Sequence, residues 1–333
     1  MPGGFIGVDV FFVISGFLIT AHLMREVERT GTVKVTRFWA RRIRRLLPAS
    51  LLVLLISGLA AYALLPTTTW LHTQREIAAS ALYVENWRLA LDAVDYLAAD
   101  NEATVAQHYW SLSVEEQFYA VWPLLILALV PLRSAVDGGV RALRRRVLSG
   151  LAIVAAASFI WSVLSTPSDQ GFAYFSTFTR AWEFASGALL GVLSRTLSGR
   201  LSVISGWCGI ALIVASGLLL TPQSVFPGWV AAAAVIGTVL VIASPAAGPG
   251  TAGWWLSRRP MTFLGDVSYS IYLIHWPLLI LTPAIVGSPL LWPVKVTLLC
   301  VTIGLAWASK TWVEDPLRRG PLLSRTPRRA YAF

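Results

Sequence analysis

The chain has 333 residues, of which 56% are hydrophobic and 13% are charged, and its formal net charge is +10. Soluble domains carry about 25% charged residues, so this composition excludes a disordered or fibrous protein and argues against a soluble enzyme. The low charge favours one bundle of membrane-spanning helices, and the position of the basic residues must decide whether nucleic acid explains the net charge.

Apolar windows of about twenty residues recur nine times along the chain, and each could cross a hydrocarbon core of about 30 Å as a helix. The predicted spans are 5–24, 46–65, 114–132, 147–165, 174–194, 203–220, 228–244, 267–286 and 290–309. Segment 75–92 is too polar to span, and we predict an amphipathic helix at the membrane surface there. The predicted fold class is all-α, a polytopic membrane helical bundle of about nine spans.

The lysines and arginines are concentrated in alternate loops. Of the 27, 23 lie in segments 25–45, 133–146, 195–200, 258–259 and 310–329. This is the positive-inside pattern, which predicts that these loops face the cytoplasm. The basicity therefore indicates orientation, and no nucleic acid partner is predicted. The same pattern places Met1 outside, so we expect a further span ahead of it and ten spans in total.

Ionisable side chains inside predicted spans are functional candidates, because charge is costly to bury in a bilayer. They include Asp9, Glu115, Glu116, Arg180, Glu183 and His275, with Asp266 at the cytoplasmic start of a span. The topology places the first four toward the outer ends of their spans and His275 near the middle of its span. Helical spacing puts Arg180 and Glu183 on one face, and Tyr272 one turn before His275. Two interpretations remain open: ion pairs that lock the bundle, or groups that converge on one site.

Four arginines precede the second span in the segment FWARRIRRLLPAS (38–50), namely Arg41, Arg42, Arg44 and Arg45. One interpretation is topology anchoring and attraction to anionic membrane lipid. The other is a phosphate site, because arginine presents a planar, permanently charged fork to phosphate oxygens. Two such pairs could hold the diphosphate of a coenzyme.

The segment HYWSLSVEEQFYAVWP (108–123) combines aromatic rings, hydroxyls and two adjacent carboxylates at a predicted membrane interface. Interfacial aromatic belts explain the tyrosine and tryptophans but not the acids. Aromatic rings beside hydrogen-bond acceptors suit sugar rings, so a carbohydrate partner is predicted.

Six segments of the chain, in order, resemble sequence blocks of the membrane-bound acyltransferase-3 family of bacterial O-acyltransferases. They are GGFIGVDVFFVISGFLIT, FWARRIRRLLPA, HYWSLSVEEQFYAVWPLL, RAWEFASGALLG, FLGDVSYSIYLIHWPL and WVEDPLRR. The resemblance implies transfer of an acyl group, usually acetyl from acetyl-CoA, to a hydroxyl of a surface polysaccharide or other glycosylated acceptor. Acyl-CoA is then the co-substrate, and no metal ion is expected.

The resemblance also implies roles for residues. The coenzyme would bind an R-x-x-R pair, Arg42 with Arg45 or Arg41 with Arg44. The catalytic candidates are His275, Glu115 and Tyr272: His275 for acid/base work or support through a hydrogen bond, Glu115 to orient a base or bind the acceptor, and Tyr272 to donate to the oxyanion. The remaining residues of a substrate-binding or structural polar cluster are Asp9, Ser15, Trp110, Ser111, Glu116, Gln117, Arg180, Glu183, Ser268 and Tyr269.

The family normally opens with a span that carries an arginine and a histidine taken to be essential. That span would precede Met1, so we expect either a chain that is short at its N-terminus or a protein without activity as given. The predicted acyltransferase domain is 1–320, followed by a basic cytoplasmic tail at 321–333. The alternatives are a transporter or flippase for a lipid-linked sugar and a non-catalytic scaffold. Gly187 and Gly191 permit close helix packing within the chain or between subunits, so the oligomeric state is not predicted.

Overall fold

A computed structural model describes residues 2–94, 103–130, 139–194, 196–221, 223–245, 248–288 and 290–319. Within these ranges the chain forms helices and no β-strand, which confirms the predicted all-α fold class. The predicted tail 321–333 lies outside the described residues.

The α-helices are named here in chain order. They are α1 (Gly7–Thr30), α2 (Val35–Leu64), α3 (Thr67–Ala81), α4 (Glu85–Val94), α5 (Tyr109–Leu129), α6 (Gly139–Ser165), α7 (Gln170–Phe175), α8 (Thr177–Leu193), α9 (Gly199–Leu219), α10 (Ala232–Ile242), α11 (Ala252–Leu256), α12 (Arg259–Val286), α13 (Trp292–Ser309) and α14 (Asp315–Arg319). Short 3₁₀ turns, Gly4–Ile6 and Gly228–Ala231, precede α1 and α10, and a π-helical turn, Lys310–Glu314, joins α13 to α14.

Seven helical segments of the described chain are long and apolar enough to cross a membrane. They are Gly4–Thr30, Val35–Leu64, Tyr109–Leu129, Gly139–Ser165, Gly199–Leu219, Arg259–Val286 and Trp292–Leu317. The other two predicted spans form shorter helices: α8 has 17 residues, and the apolar segment Gly228–Ile242 falls below the length of a full span. At 1.5 Å per residue α8 is about 26 Å long. Among the described residues, seven of the nine predicted spans are therefore helices long enough to cross a membrane, and the other two are shorter helices.

The prediction of a single continuous helix over 75–92 is wrong. The chain leaves α3 at Ala81 and starts α4 at Glu85, and Tyr83 between them has φ of 55°. The Tyr83 hydroxyl donates to Ser50 Oγ of α2 at 3.1 Å. This contact fixes the break between the helices against α2, which a local charge count does not reveal.

The chain divides into two compact units. Unit 1 comprises Met1–Val33 and Gln117–Met261, and unit 2 comprises Lys34–Glu116 and Thr262–Phe333. The boundaries fall within α5 and α12.

In unit 1, α1 packs against α8 through glycines on both helices. A Cβ added to Gly16 would lie 1.9 Å from the Phe184 carbonyl oxygen, and one added to Gly187 would lie 1.9 Å from the Val13 carbonyl oxygen. A Cβ added to Gly191 would lie 2.9 Å from the Phe17 carbonyl oxygen. Only glycine permits such backbone approach, so this small-residue pair serves packing within the chain.

In unit 2, the segment that leads into α5 is part of the core. Val105 and Ala106 are fully buried, and Ala106 packs with Ala49 of α2 and Leu273 of α12. The hydroxyl of Tyr109, the first residue of α5, donates to the Ser50 carbonyl at 2.9 Å. Helix α5 therefore starts beside the middle of α2.

Candidate active site

A buried ion cluster joins α1 to α8 in unit 1. Arg180 Nη1 lies 2.9 Å from Asp9 Oδ1 and 3.1 Å from Glu183 Oε1, and all three side chains are at most 1% exposed. The guanidinium also donates from Nε and Nη2 to the Tyr174 carbonyl at 3.1 Å. The structure thus confirms the shared face of Arg180 and Glu183 and adds Asp9, 171 positions away. These ion pairs hold α1 and α8 together.

Two further predicted polar residues, Ser15 and Gln117, also lie in unit 1. Ser15 Oγ is 3.0 Å from the hydroxyl of Tyr119, and Thr177 Oγ1 donates to Gln117 Oε1 at 2.6 Å. Each of these pairs joins two helices. The predicted polar set is therefore divided between the two units.

The four arginines occupy the first part of α2 in unit 2. Arg41 and Arg45 are exposed, whereas Arg42 and Arg44 are half-buried. Arg44 Nε donates to the Ala40 carbonyl of its own helix at 3.1 Å. Arg41 and Arg45, one turn apart, are thus the more exposed members of the set, and Arg45 also interacts electrostatically with Glu314.

Glu115 and Glu116 interact electrostatically with Arg42. Glu115 is 2% exposed and Glu116 is half-buried. The charge pattern predicts both acids near the outer end of a span, but the structure places them at the arginine-bearing end of α2. The reason is that α5 starts beside Ser50 of α2. Glu115 and Glu116 follow about two turns later along α5 and therefore lie near Arg42.

Tyr272 and His275 meet α5 in a cluster of hydroxyl and imidazole groups. The Tyr272 hydroxyl donates to the His108 carbonyl at 2.8 Å and shares a short hydrogen bond with Ser111 Oγ. The Tyr272 and His275 rings are 5.4 Å apart, centroid to centroid, as the one-turn spacing predicts. Trp110, the neighbour of Ser111, is buried.

His275 is held as one tautomer. Its Nδ1 lies 2.8 Å from the Tyr272 carbonyl and 3.1 Å from the Ile271 carbonyl. A carbonyl oxygen only accepts, so Nδ1 carries the proton and Nε2 of the neutral ring is the basic nitrogen.

Only some of the polar residues in the segment FLGDVSYSIYLIHWPL form contacts with neighbouring helices. The Tyr269 hydroxyl donates to the Leu46 carbonyl of α2 at 2.8 Å. Ser268 is exposed and donates to Gly265 of its own helix, so it lies outside the cluster. The buried serine is Ser270, whose hydroxyl donates to Glu314 Oε1 in the π-helical turn. Sequence reasoning missed this pair, although Glu314 belongs to the WVEDPLRR segment.

Sequence reasoning also missed His108, which is 5% exposed. Its ring centroid lies 5.8 Å from that of His275 and 5.5 Å from that of Tyr272. His108 stands immediately before α5, so a search for histidines within spans passes over it.

A second buried acidic group lies on α3 and α4. Glu76 accepts from Thr104 Oγ1 and from His72 Nε2, the latter at 2.9 Å. The Glu85 carboxyl is buried and interacts electrostatically with that of Glu76. Burial, and then the Glu76 charge, raise the pKa of Glu85 to about 10. At neutral pH the Glu85 carboxyl is therefore protonated and uncharged.

No group of three or more His, Cys, Asp or Glu side chains within the described ranges could hold a metal ion. The chemistry available in unit 2 is that of arginine forks, neutral imidazoles, hydroxyls and carboxyls. These groups suit anion binding and proton transfer.

The long apolar helices make the chain a multi-pass integral membrane protein. A family model described as "Acyltransferase domain" matches residues 2–310. The chain belongs to this acyltransferase-3 family, as its sequence blocks predict.

Three curated relatives illustrate the family. The chain is 33% identical over 334 residues to YrhL of Bacillus subtilis (strain 168), which carries the provisional name of a peptidoglycan O-acetyltransferase; the match covers 95% of this chain and 51% of YrhL. It is 29% identical to O-acetyltransferase OatA of Staphylococcus aureus (strain NCTC 8325 / PS 47), over 96% of this chain and 53% of that protein. It is 28% identical to peptidoglycan O-acetyltransferase OatA of Listeria monocytogenes, serovar 1/2a, over 97% and 52%.

The chain thus spans about half the length of the curated relatives it matches. No solved structure matches it.

Proposed function

We propose that this chain is an O-acyltransferase of the bacterial inner membrane that moves an acyl group, acetyl in the first instance, from acyl-CoA to a hydroxyl of a cell-envelope polysaccharide. Family membership supports the reaction class. The names of the relatives support a peptidoglycan hydroxyl as the acceptor.

One observation carries the proposal: the arginines and the histidine cluster lie along two helices of unit 2 that contact each other. The Tyr269 hydroxyl bonds to the carbonyl of Leu46, the residue after Arg45. His275 follows Tyr269 by six positions, or about 9 Å along the axis of α12. A coenzyme held by its phosphates at the start of α2 would therefore extend its thioester toward His275.

The coenzyme phosphates are assigned to Arg41 and Arg45. Both side chains are exposed and one turn apart on α2, and arginine forks bind phosphate oxygens in a bidentate manner. Arg42 instead faces Glu115 and Glu116, so its role is to balance those acids and fix α5 against α2. Each R-x-x-R pair then contributes one phosphate ligand.

The acyl transfer forms a bond from the acceptor oxygen to the thioester carbonyl carbon and breaks the bond from that carbon to sulfur. The acceptor proton passes to a base and then to the departing thiolate of the coenzyme. His275 Nε2 has the free lone pair that this step requires. The Tyr272 proton is engaged by the His108 carbonyl, so Tyr272 can donate to the oxyanion only by leaving that bond.

The test uses the full-length protein in membranes, with coenzyme A binding and transfer of labelled acetyl to a peptidoglycan fragment as two readouts. The variant Arg41→Ala/Arg45→Ala is compared with Arg141→Ala/Arg145→Ala, which removes an exposed pair at the same spacing on α6. We expect at least about a tenfold weaker Kd for coenzyme A in the first variant, the loss of one good charge-assisted contact, and no change in the second.

Equal affinity of both variants for coenzyme A would remove the phosphate assignment. Absence of acetyl transfer by the unaltered protein, combined with binding or movement of a lipid-linked sugar, would replace the proposal with the transporter interpretation.

A further inference from the structure

Pro277 leaves one carbonyl of α12 without its helical donor, and His108 donates to that carbonyl instead. In an α-helix the carbonyl of residue i accepts from the N–H of residue i+4, and proline has no N–H. Pro277 lies inside α12, four residues after Leu273. The Leu273 carbonyl therefore lacks its usual helical donor, and His108 Nε2 lies 3.2 Å from it.

This contact fixes the tautomer of His108. Because the Leu273 oxygen only accepts, the proton must be on Nε2, and Nδ1 of the neutral ring is a lone pair. Among the described residues Nδ1 is buried and has no hydrogen-bond partner. A buried polar atom without a partner is rare and points to a ligand or water that completes it.

The surroundings keep the ring neutral. Burial, together with the His275 ring, lowers the pKa of His108 well below its usual range. The His275 ring is 5.8 Å away and the Tyr272 ring 5.5 Å. A neutral imidazole with a fixed lone pair can only accept a hydrogen bond at that nitrogen, so its partner must bring an O–H or an N–H.

We propose that His108 Nδ1 is part of the acceptor-binding site and takes a hydrogen bond from a donor group of the sugar, a second hydroxyl or an amide N–H, beside the hydroxyl that is acylated. This inference rests on the proposed function and names its acceptor contact. The ligand class is a carbohydrate with at least two donors near the reacting position. An alcohol with a single hydroxyl cannot satisfy both the base and His108.

The test separates the lone pair of His108 from its structural bond to Leu273. The variant Pro277→Ala restores an N–H to the Leu273 carbonyl, and His108→Ala/Pro277→Ala then removes the imidazole without leaving that carbonyl unpaired. Comparing these two variants isolates Nδ1. We expect the KM for the peptidoglycan fragment to be about tenfold higher in the double variant, as for loss of one buried hydrogen bond, with the same Kd for coenzyme A in both.

A second measurement does not depend on turnover. Nitrogen-15 NMR of the imidazoles should show His108 protonated on Nε2 alone, and titration with the peptidoglycan fragment should shift the Nδ1 resonance. Equal KM values in the two variants, or an Nδ1 resonance that the fragment leaves unchanged, would overturn the inference and indicate a buried water at that nitrogen. Failure of coenzyme A binding with an intact Nδ1 response would instead contradict the proposed function.

Discussion

Arg180 of α8 and Asp9 of α1 form a fully buried ion pair, with 2.9 Å between Nη1 and Oδ1. The same Nη1 lies 3.1 Å from Glu183 Oε1. One cation therefore serves two carboxylates inside unit 1. It follows that the arginine is the member of this cluster whose loss leaves the largest unbalanced charge.

We predict that Arg180→Met destabilises the protein by about 3–5 kcal/mol, because it leaves two buried carboxylates without a cation. Asp9→Asn should be milder, at about 1–2 kcal/mol, because Arg180 and Glu183 remain paired. Thermal unfolding of detergent-purified protein measures both. The reverse order would show that Asp9, and not Arg180, organises the cluster.

Gly187→Ala should separate α1 from α8. The added Cβ would meet the Val13 carbonyl oxygen at 1.9 Å, so the helices must move apart, at a cost of about 1–3 kcal/mol or more. Gly7→Ala on α1 is the matched control, since a Cβ there has nothing within 4 Å. The expected readout is a lower unfolding temperature for the first variant only, and similar temperatures for both would place the α1–α8 contact in doubt.

Glu85 should make stability depend on pH. Its pKa is raised from 4.5 to about 10 in the folded protein, so between these values the folded state holds a proton that the unfolded state releases. The contribution of Glu85 to stability is then fully present below about pH 4.5 and is lost as the pH rises toward 10. Glu85→Gln imitates the protonated acid, and we expect it to remove most of this decline and to be more stable than the unaltered protein at pH 8.

The control for that experiment is Asp92→Asn on the same helix, where the carboxylate pairs with Arg88 at 3.0 Å and is partly exposed. It should leave the pH profile of the unfolding temperature unchanged. A flat profile in the unaltered protein would mean that Glu85 is ionised in the folded state.

Ser270→Ala should weaken the contact between α12 and the π-helical turn, because the Glu314 carboxylate loses the serine as its donor. We expect a loss of about 1–3 kcal/mol. Ser268→Ala, two positions earlier, removes an exposed hydroxyl that bonds its own helix and should change stability by less than about 0.5 kcal/mol. Equal effects of the two substitutions in chemical or thermal unfolding would contradict the assigned pairing.

Short-range relationships within one helix could be read from the sequence. The Arg180–Glu183 pair and the position of Tyr272 one turn before His275 follow from 3.6 residues per turn, and both are present in the structure. The apolar windows likewise predict seven of the spans, because a bilayer requires long apolar helices.

Contacts between distant segments could not be read in this way. The single-helix prediction for 75–92 fails at Tyr83, whose anchor is on α2. The depth of Glu115 and Glu116 depends on where α5 starts, which the Tyr109–Ser50 bond sets. One such contact had a sequence signal: Pro277 predicts that the Leu273 carbonyl lacks its helical donor, although the sequence does not identify the side chain that donates to it.

The sequence alone thus determined the class of fold, the helix that carries the arginines and the helical neighbours of His275, since each depends on composition or on residues within a turn or two. Only the tertiary structure decided that Asp9 pairs with Arg180 and that Glu115 and Glu116 face Arg42. It alone also places the His108 ring beside His275, with the Nδ1 lone pair of His108 unpaired in the part of the chain that the structure describes. These pairings join residues far apart in the chain, and the packing of whole helices, rather than any local pattern, brings them together.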